Sequence, residues 1–120
     1  MQSDELARWD LAHRQVLEAA RSRTAEDALI EHSSSVDRSF HAALIGSLRN
    51  PQICKVYART NERIRLVRLD NDPRQSTATV TQAMQEHLIV LEALRMHDVP
   101  AAVAAVEDHL RRALHRAIGF

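Results

Sequence analysis

A chain of 120 residues, 45% of them hydrophobic, is sized for a single core, and with two glycines and three prolines it is poor in the turns a β-rich fold needs. Its 16 basic and 16 acidic residues cancel, which excludes attraction to nucleic acid by net charge. No stretch approaches the roughly 20 apolar residues of a membrane span, residues 1–5 lack a signal-peptide core, and the lone Cys54 allows no internal disulfide, so the expected compartment is the cytoplasm.

Aromatic residues make up 3% of the chain, which leaves the packing to leucine, isoleucine, valine and alanine. Ser3 followed by Asp4 and Glu5 signals a helix start, and Leu6, Trp9, His13, Val16, Leu17 and Ala20 then recur at helical spacing. Helix one is expected over about residues 4–21, with Trp9 at the edge of the core and Arg8, Asp10, Arg14 and Glu18 in solvent. Thr24 and Asp27 resemble a capping box that opens helix two. Its stripe of Leu29, Val36, Phe40, Leu44 and Leu48 runs to Asn50-Pro51, where the residue before proline is pushed out of the helical region. Ser33-Ser34-Ser35 is a poor helix interior and marks a bend or break, so the count is five to six helices.

Asn50 can cap helix three and Pro51 suits its first turn. Ile53, Val56, Tyr57, Ile64 and Val67 read as its inner face, and Arg59, Arg63, Arg65 and Arg68 make it the most basic element. Asp70-Asn71-Asp72-Pro73 breaks the chain, and Arg74-Gln75-Ser76 continues as loop. Helix four, about residues 76–97, sets Val80, Met84, His87, Leu91 and Leu94 on one stripe, with His87 where an aliphatic residue belongs. Asp98 caps helix five, which tolerates Pro100 in its first turn. Its stripe is Val99, Val103, Val106, Leu110 and Leu114, and His109 lies on the flank beside Ala102, Ala105 and Ala113, whose small side chains leave room for an imidazole. The expected fold is an all-α antiparallel helical bundle, a single domain over 1–120 with a core bundle at 36–118 and a distinct helical part at 1–35.

Asp37 and His41 stand four residues apart beside the apolar stripe of helix two, close enough to share one ion. Together with His87 and His109 they would bring three imidazoles and a carboxylate from three helices to one buried point. Each residue also has an ordinary explanation: an i,i+4 hydrogen-bonded pair, a satisfied core histidine, a surface histidine. Their joint placement puts a divalent metal on a level with these ordinary explanations, because buried imidazoles need partners and this donor set serves zinc, nickel, manganese or iron. His13, His32, His97 and His115 fall on less consistent faces and read as surface residues. Glu86 points about 100° away from His87 on its helix and receives no ligand role. Paired Glu-x-x-His motifs, nucleophile elbows, glycine-rich phosphate loops and CxxC pairs are absent.

Asp37-Arg38-Ser39-Phe40-His41-Ala42-Ala43-Leu44 with Asn50-Pro51, then Glu86-His87-Leu88-Ile89-Val90-Leu91-Glu92-Ala93-Leu94, Asp98, Ala102 and His109-Leu110, resembles the FCD domain. This is the C-terminal effector-sensing domain of FadR-like GntR-family transcription regulators, and the likeness covers about residues 36–115. It implies an all-α bundle in which Asp37, His41, His87 and His109 hold a divalent ion, zinc foremost. It implies a small carboxylic acid as effector, completing the coordination, with Arg63, or else Arg59, holding the acid. It further implies a homodimer that alters the disposition of N-terminal winged-helix DNA readers. No such reader precedes the domain here, so this chain is not expected to contact DNA itself. Residues 1–35 fit the family pattern poorly and look one helix short. The reading is a sensor without catalytic turnover; the alternatives are a metalloenzyme built on the same three-histidine, one-aspartate site and a metal-free helical dimerisation module.

Overall fold

Among the described residues of the computed structural model, five α-helices follow one another: α1 Ser3–Arg21, α2 Glu26–Leu48, α3 Pro51–Asp70, α4 Thr77–Arg95 and α5 Val99–Ile118. The structure describes residues 1–22, 25–70 and 76–118, with the side chains of Leu48, residues 64–70 and Ile118 outside the description. The expected inner positions Ile64 and Val67, the outer Arg65 and Arg68, and the break and loop over residues 71–75 therefore lie outside the described residues.

The described helix starts have local causes. Asp4 and Glu5 in the first turn of α1, and Glu26 and Asp27 in that of α2, complement the positive end of the helix dipole. The expected Thr24–Asp27 box falls partly on Thr24, outside the described residues; Ala25 is the N-cap and offers no side-chain bond. Asn50 Oδ1 accepts from the backbone N–H of Gln52 and Ile53 at 3.0 and 3.2 Å, capping α3. Ser76 and Thr79 cap α4 reciprocally, the Ser76 hydroxyl accepting from Thr79 N–H at 3.2 Å and Thr79 Oγ1 from Ser76 N–H at 2.8 Å.

Contrary to the expected bend, α2 runs unbroken through its three serines. Ser33 Oγ donates to the Ile30 carbonyl at 2.9 Å, so the hydroxyl is satisfied within the helix while Ser33 is buried. Helix α4 stops at Arg95, two residues before the expected end, in a Schellman turn. His97 N–H bonds the Leu94 carbonyl, Asp98 N–H bonds the Ala93 carbonyl, and His97 takes a left-handed φ of 55°. Asp98 then caps α5 through Oδ1 to Ala101 N–H at 3.1 Å.

The described helices leave α4 at the centre, packed on α1, α2 and α5, with α3 lying on α5 and touching α2. One core cluster gathers Leu6, Phe40, Leu44, Ile53, Val90, Leu91, Val106 and Leu110, edged by Trp9 and Tyr57. A second joins Val16, Leu17 and Leu29 to Val80 and Met84. The amphipathic stripes therefore meet as helical periodicity requires. Val99 is the exception: expected on the inner stripe of α5, it is 55% exposed because it opens the helix at the hairpin tip, past the cover of its neighbours. No helix among the described residues is long and apolar enough to cross a membrane.

Candidate metal centre

Helix α2 supplies Asp37 and His41 one turn apart, α4 supplies His87 and α5 supplies His109, and one donor atom from each falls within 4.8 Å of the others. The three imidazole Nε2 atoms form a tight triangle: His87 to His109 is 2.9 Å, His41 to His87 is 3.0 Å and His41 to His109 is 3.2 Å. Asp37 Oδ1 lies 3.3 Å from His87 Nε2 and 3.5 Å from His41 Nε2. Two donors each about 2.1 Å from one ion are about 3.0 Å apart at a right angle and about 3.4 Å apart at the tetrahedral angle. The triangle fits three ligands on one face of a common ion, an arrangement that leaves room for further ligands.

The electrostatics favour the same use. Burial holds the His87 imidazole well below its ordinary value, with His109, His41 and His13 pushing the same way. Burial also lowers His41, against the opposing pull of Asp37. Neutral rings present lone pairs, and lone pairs packed this closely repel unless a cation or proton lies between them. The donor set therefore fits a divalent metal.

Glu86 supports His109 from outside this triangle. Its Oε1 accepts from His109 Nδ1 at 2.7 Å, and Arg116 clamps it with Nη1 to Oε2 at 2.7 Å and Nη2 to Oε1 at 2.9 Å. Burial alone would raise this carboxyl, but the bonds from His109 and Arg116 and the Arg116 charge outweigh it and bring it down to about 2. On the opposite side, His13 is fully buried, its Nε2 lying 2.8 Å from His87 Nδ1 and its Nδ1 2.7 Å from the Trp9 carbonyl oxygen.

His13 thus departs from the surface position expected of it. Its place on the α1 stripe with Leu6, Val16 and Leu17 was the sequence signal for burial, and that signal outranks the general polarity of histidine. The other three histidines set apart with it, His32, His97 and His115, are exposed as expected. Glu86 is only 8% exposed although it points away from His87, because α5 covers that side of α4. Nothing in the sequence links it to Arg116, 30 residues later.

Beside the triangle lies a cavity of about 230 Å³ that Asp37, His41 and His109 all line. Val80, Met84, Leu110 and Ala113 give it apolar walls, while Ser33, Ser34, Asn61 and Thr79 supply hydroxyl and amide groups. Its volume is below the roughly 300–1,000 Å³ of pockets for drug-sized ligands, which suits a small metabolite. Among the described residues, the cations on its wall are Arg38 and Arg116. Arg59 and Arg63 are exposed and do not appear among the lining residues. The helical period explains this: Tyr57 and Asn61 face the cavity, and a residue two positions further along α3 points about 200° away.

A family model described as the FCD domain matches residues 14–112. The match begins inside α1, earlier than the residue 36 at which the sequence likeness starts. No curated protein matches the chain, and no solved structure does.

Proposed function

We propose that this chain, which belongs to the FCD domain family, senses a small organic acid through a divalent metal held by Asp37, His41, His87 and His109. FCD domains are regulatory, ligand-binding domains of transcription factors rather than enzymes, and the parent protein in this reading is a GntR-family regulator working in the cytoplasm. The observation that carries the proposal is the triangle of three imidazole nitrogens 2.9–3.2 Å apart at the edge of a cavity.

The ion supplies a concentrated positive charge at the cavity wall that attracts a carboxylate. Zinc is our first assignment, and nickel, manganese and iron are served by the same donors. Around it, this chain's residues divide the work. Asp37 and the histidines fix the ion's position, the Val80 and Met84 wall excludes water from the acid's apolar end, and Arg38 adds positive charge, that of Arg116 being balanced by Glu86. Arg63 and Arg59 are left as candidates for holding the acid only if α3 turns toward the cavity on binding. Because the cavity is bounded by α2, α3, α4 and α5, an acid that binds one packing of these helices more tightly shifts the population toward it. That shift would pass through a homodimer to DNA readers carried elsewhere in the regulator, with no DNA contact by this bundle.

The test is metal content by mass spectrometry on protein purified without tag or chelator, for wild type, His87→Ala and Asp37→Ala. About one ion per chain in the wild type, lost in both variants, supports the centre, and a thermal-shift screen of small carboxylic acids on the loaded protein then tests the sensor. A wild type that stays metal-free after ions are added back would overturn the proposal.

A further inference from the structure

While its ring is neutral, the contacts that hold His13 leave it a single arrangement of protons, and that arrangement reaches the candidate centre. The Trp9 carbonyl oxygen can only accept, so at 2.7 Å the ring nitrogen facing it, His13 Nδ1, must carry a hydrogen. A neutral His13 ring then has a bare Nε2, which accepts. At 2.8 Å from it, His87 Nδ1 must in turn donate. A neutral His87 with its hydrogen on Nδ1 has a bare Nε2, and this is the atom that faces His41 and His109. Each link excludes the opposite tautomer, because reversing it sets two acceptors, or two donors, face to face inside the core.

His13 is held to this duty mechanically as well. It is 0% exposed, lies edge-on to Phe40 with ring centroids 4.8 Å apart, and meets His87 at 78° with centroids 4.9 Å apart. Trp9 is four residues earlier on the same helix, so the carbonyl and the ring it anchors move as one unit.

We propose that His13 is a positioning residue: it fixes the tautomer and orientation of His87 and so keeps the Nε2 lone pair free for the metal. The inference rests on the reading of Asp37, His41, His87 and His109 as ligands, and it adds α1 to the three helices that build the centre. Outer partners of metal-bound histidines act this way in general, and their loss costs about 10- to 100-fold in affinity. Without His13, the His87 ring gains no acceptor for Nδ1–H and can place its hydrogen on Nε2, where it blocks coordination.

Two readouts on the full chain test this. Nitrogen NMR of histidine-labelled, metal-free protein reports the His87 tautomer, and competition with a chromophoric chelator reports zinc affinity. Wild type is compared with His13→Leu, with His13→Phe as a second apolar replacement should the leucine variant not fold, and with His13→Gln, whose side-chain oxygen can accept from His87. The expected result is an Nδ1–H His87 in the wild type and a population of Nε2–H in the apolar variant. Zinc affinity should fall about 10- to 100-fold in the apolar variant and return to within a few-fold of wild type in His13→Gln. An apolar variant with wild-type tautomer and affinity would overturn the proposal. If the wild type itself bound no zinc, the reading of the centre would fall, and the tautomer measurement alone would decide whether His13 governs His87.

Discussion

Glu86 Oε1 accepts a hydrogen bond from His109 Nδ1 at 2.7 Å, so a carboxylate on α4 steers an imidazole on α5 whose other nitrogen belongs to the candidate centre. The same carboxylate is clamped by both terminal nitrogens of Arg116. One residue therefore ties the end of α5 to the middle of α4 and orients a candidate ligand.

Replacing Glu86 by Gln keeps the volume and one acceptor but removes the charge that both partners face. Stability at pH 7 should fall by about 2–3 kcal/mol, read from urea unfolding, because Arg116 and His109 lose the carboxylate they were buried against. The carboxyl lies near 4.5 in the unfolded chain and about 2 in the fold, a lowered value. Its contribution is thus complete above pH 4.5 and is lost as the pH falls toward 2. The gap between wild type and Glu86→Gln should narrow over that interval; a gap independent of pH would show that shape, not charge, makes the difference.

The buried imidazoles set a second and earlier acid limit. Burial lowers His13, His41 and His87 below the ordinary value of 6.5, so below about pH 6.5 the unfolded chain takes up protons that the fold refuses. Stability should then fall with decreasing pH, by about 1.4 kcal/mol per pH unit for each proton fully excluded. Urea midpoints of the metal-free protein between pH 7.5 and 5 measure the slope. His87→Phe, which removes one such group, should flatten it, and an unchanged slope would mean that His87 takes up its proton in the fold.

How much of this was legible in the sequence depended on the range of the interaction. Asp37 and His41 stand out because both occupy one turn of one helix, and His87 because it interrupts a stripe of Val80, Met84 and Leu91. Those signals are local, and the structure brings the residues together. Asn50 and Asp98 as caps were readable for the same reason. The clamp of Glu86 by Arg116 depends on how α4 and α5 are rotated about their axes, which periodicity fixes only to within a wide face. His13 carries a local signal for burial in its stripe, and only the polarity of its residue type points the other way. The serines of α2 misled because a buried hydroxyl can bond back to its own helix, as Ser33 does, and needs no bend.

The turn between α4 and α5 offers a gain in stability away from the centre. His97 is exposed and takes φ 55° at the position where a Schellman turn favours glycine. A side chain there costs energy against the left-handed backbone, whereas glycine fits without strain. His97→Gly should therefore stabilise the fold by about 0.5–1 kcal/mol, the strain removed exceeding the extra freedom of the unfolded chain. A rise of a few degrees in Tm with unchanged metal content would be the sign of it. A lower Tm would mean that the imidazole makes a contact worth more than the strain.

Filling the cavity separates binding of the metal from binding of the acid. Ala113 lines the cavity with Leu110 and Arg116 but is not one of the four candidate ligands. Ala113→Leu adds three carbons to that wall and takes space from the cavity. The ion should still load at about one per chain, since no donor atom is displaced. The thermal shift given by a carboxylic acid that stabilises the wild type should shrink or vanish, because the apolar end of the acid has lost its place while the ion remains. If the acid shifts both proteins equally, it binds at the metal without entering this cavity. If metal loading falls together with the shift, leucine has displaced His109 or Asp37, and a smaller change at the same wall, Ala83→Val, repeats the separation with less intrusion.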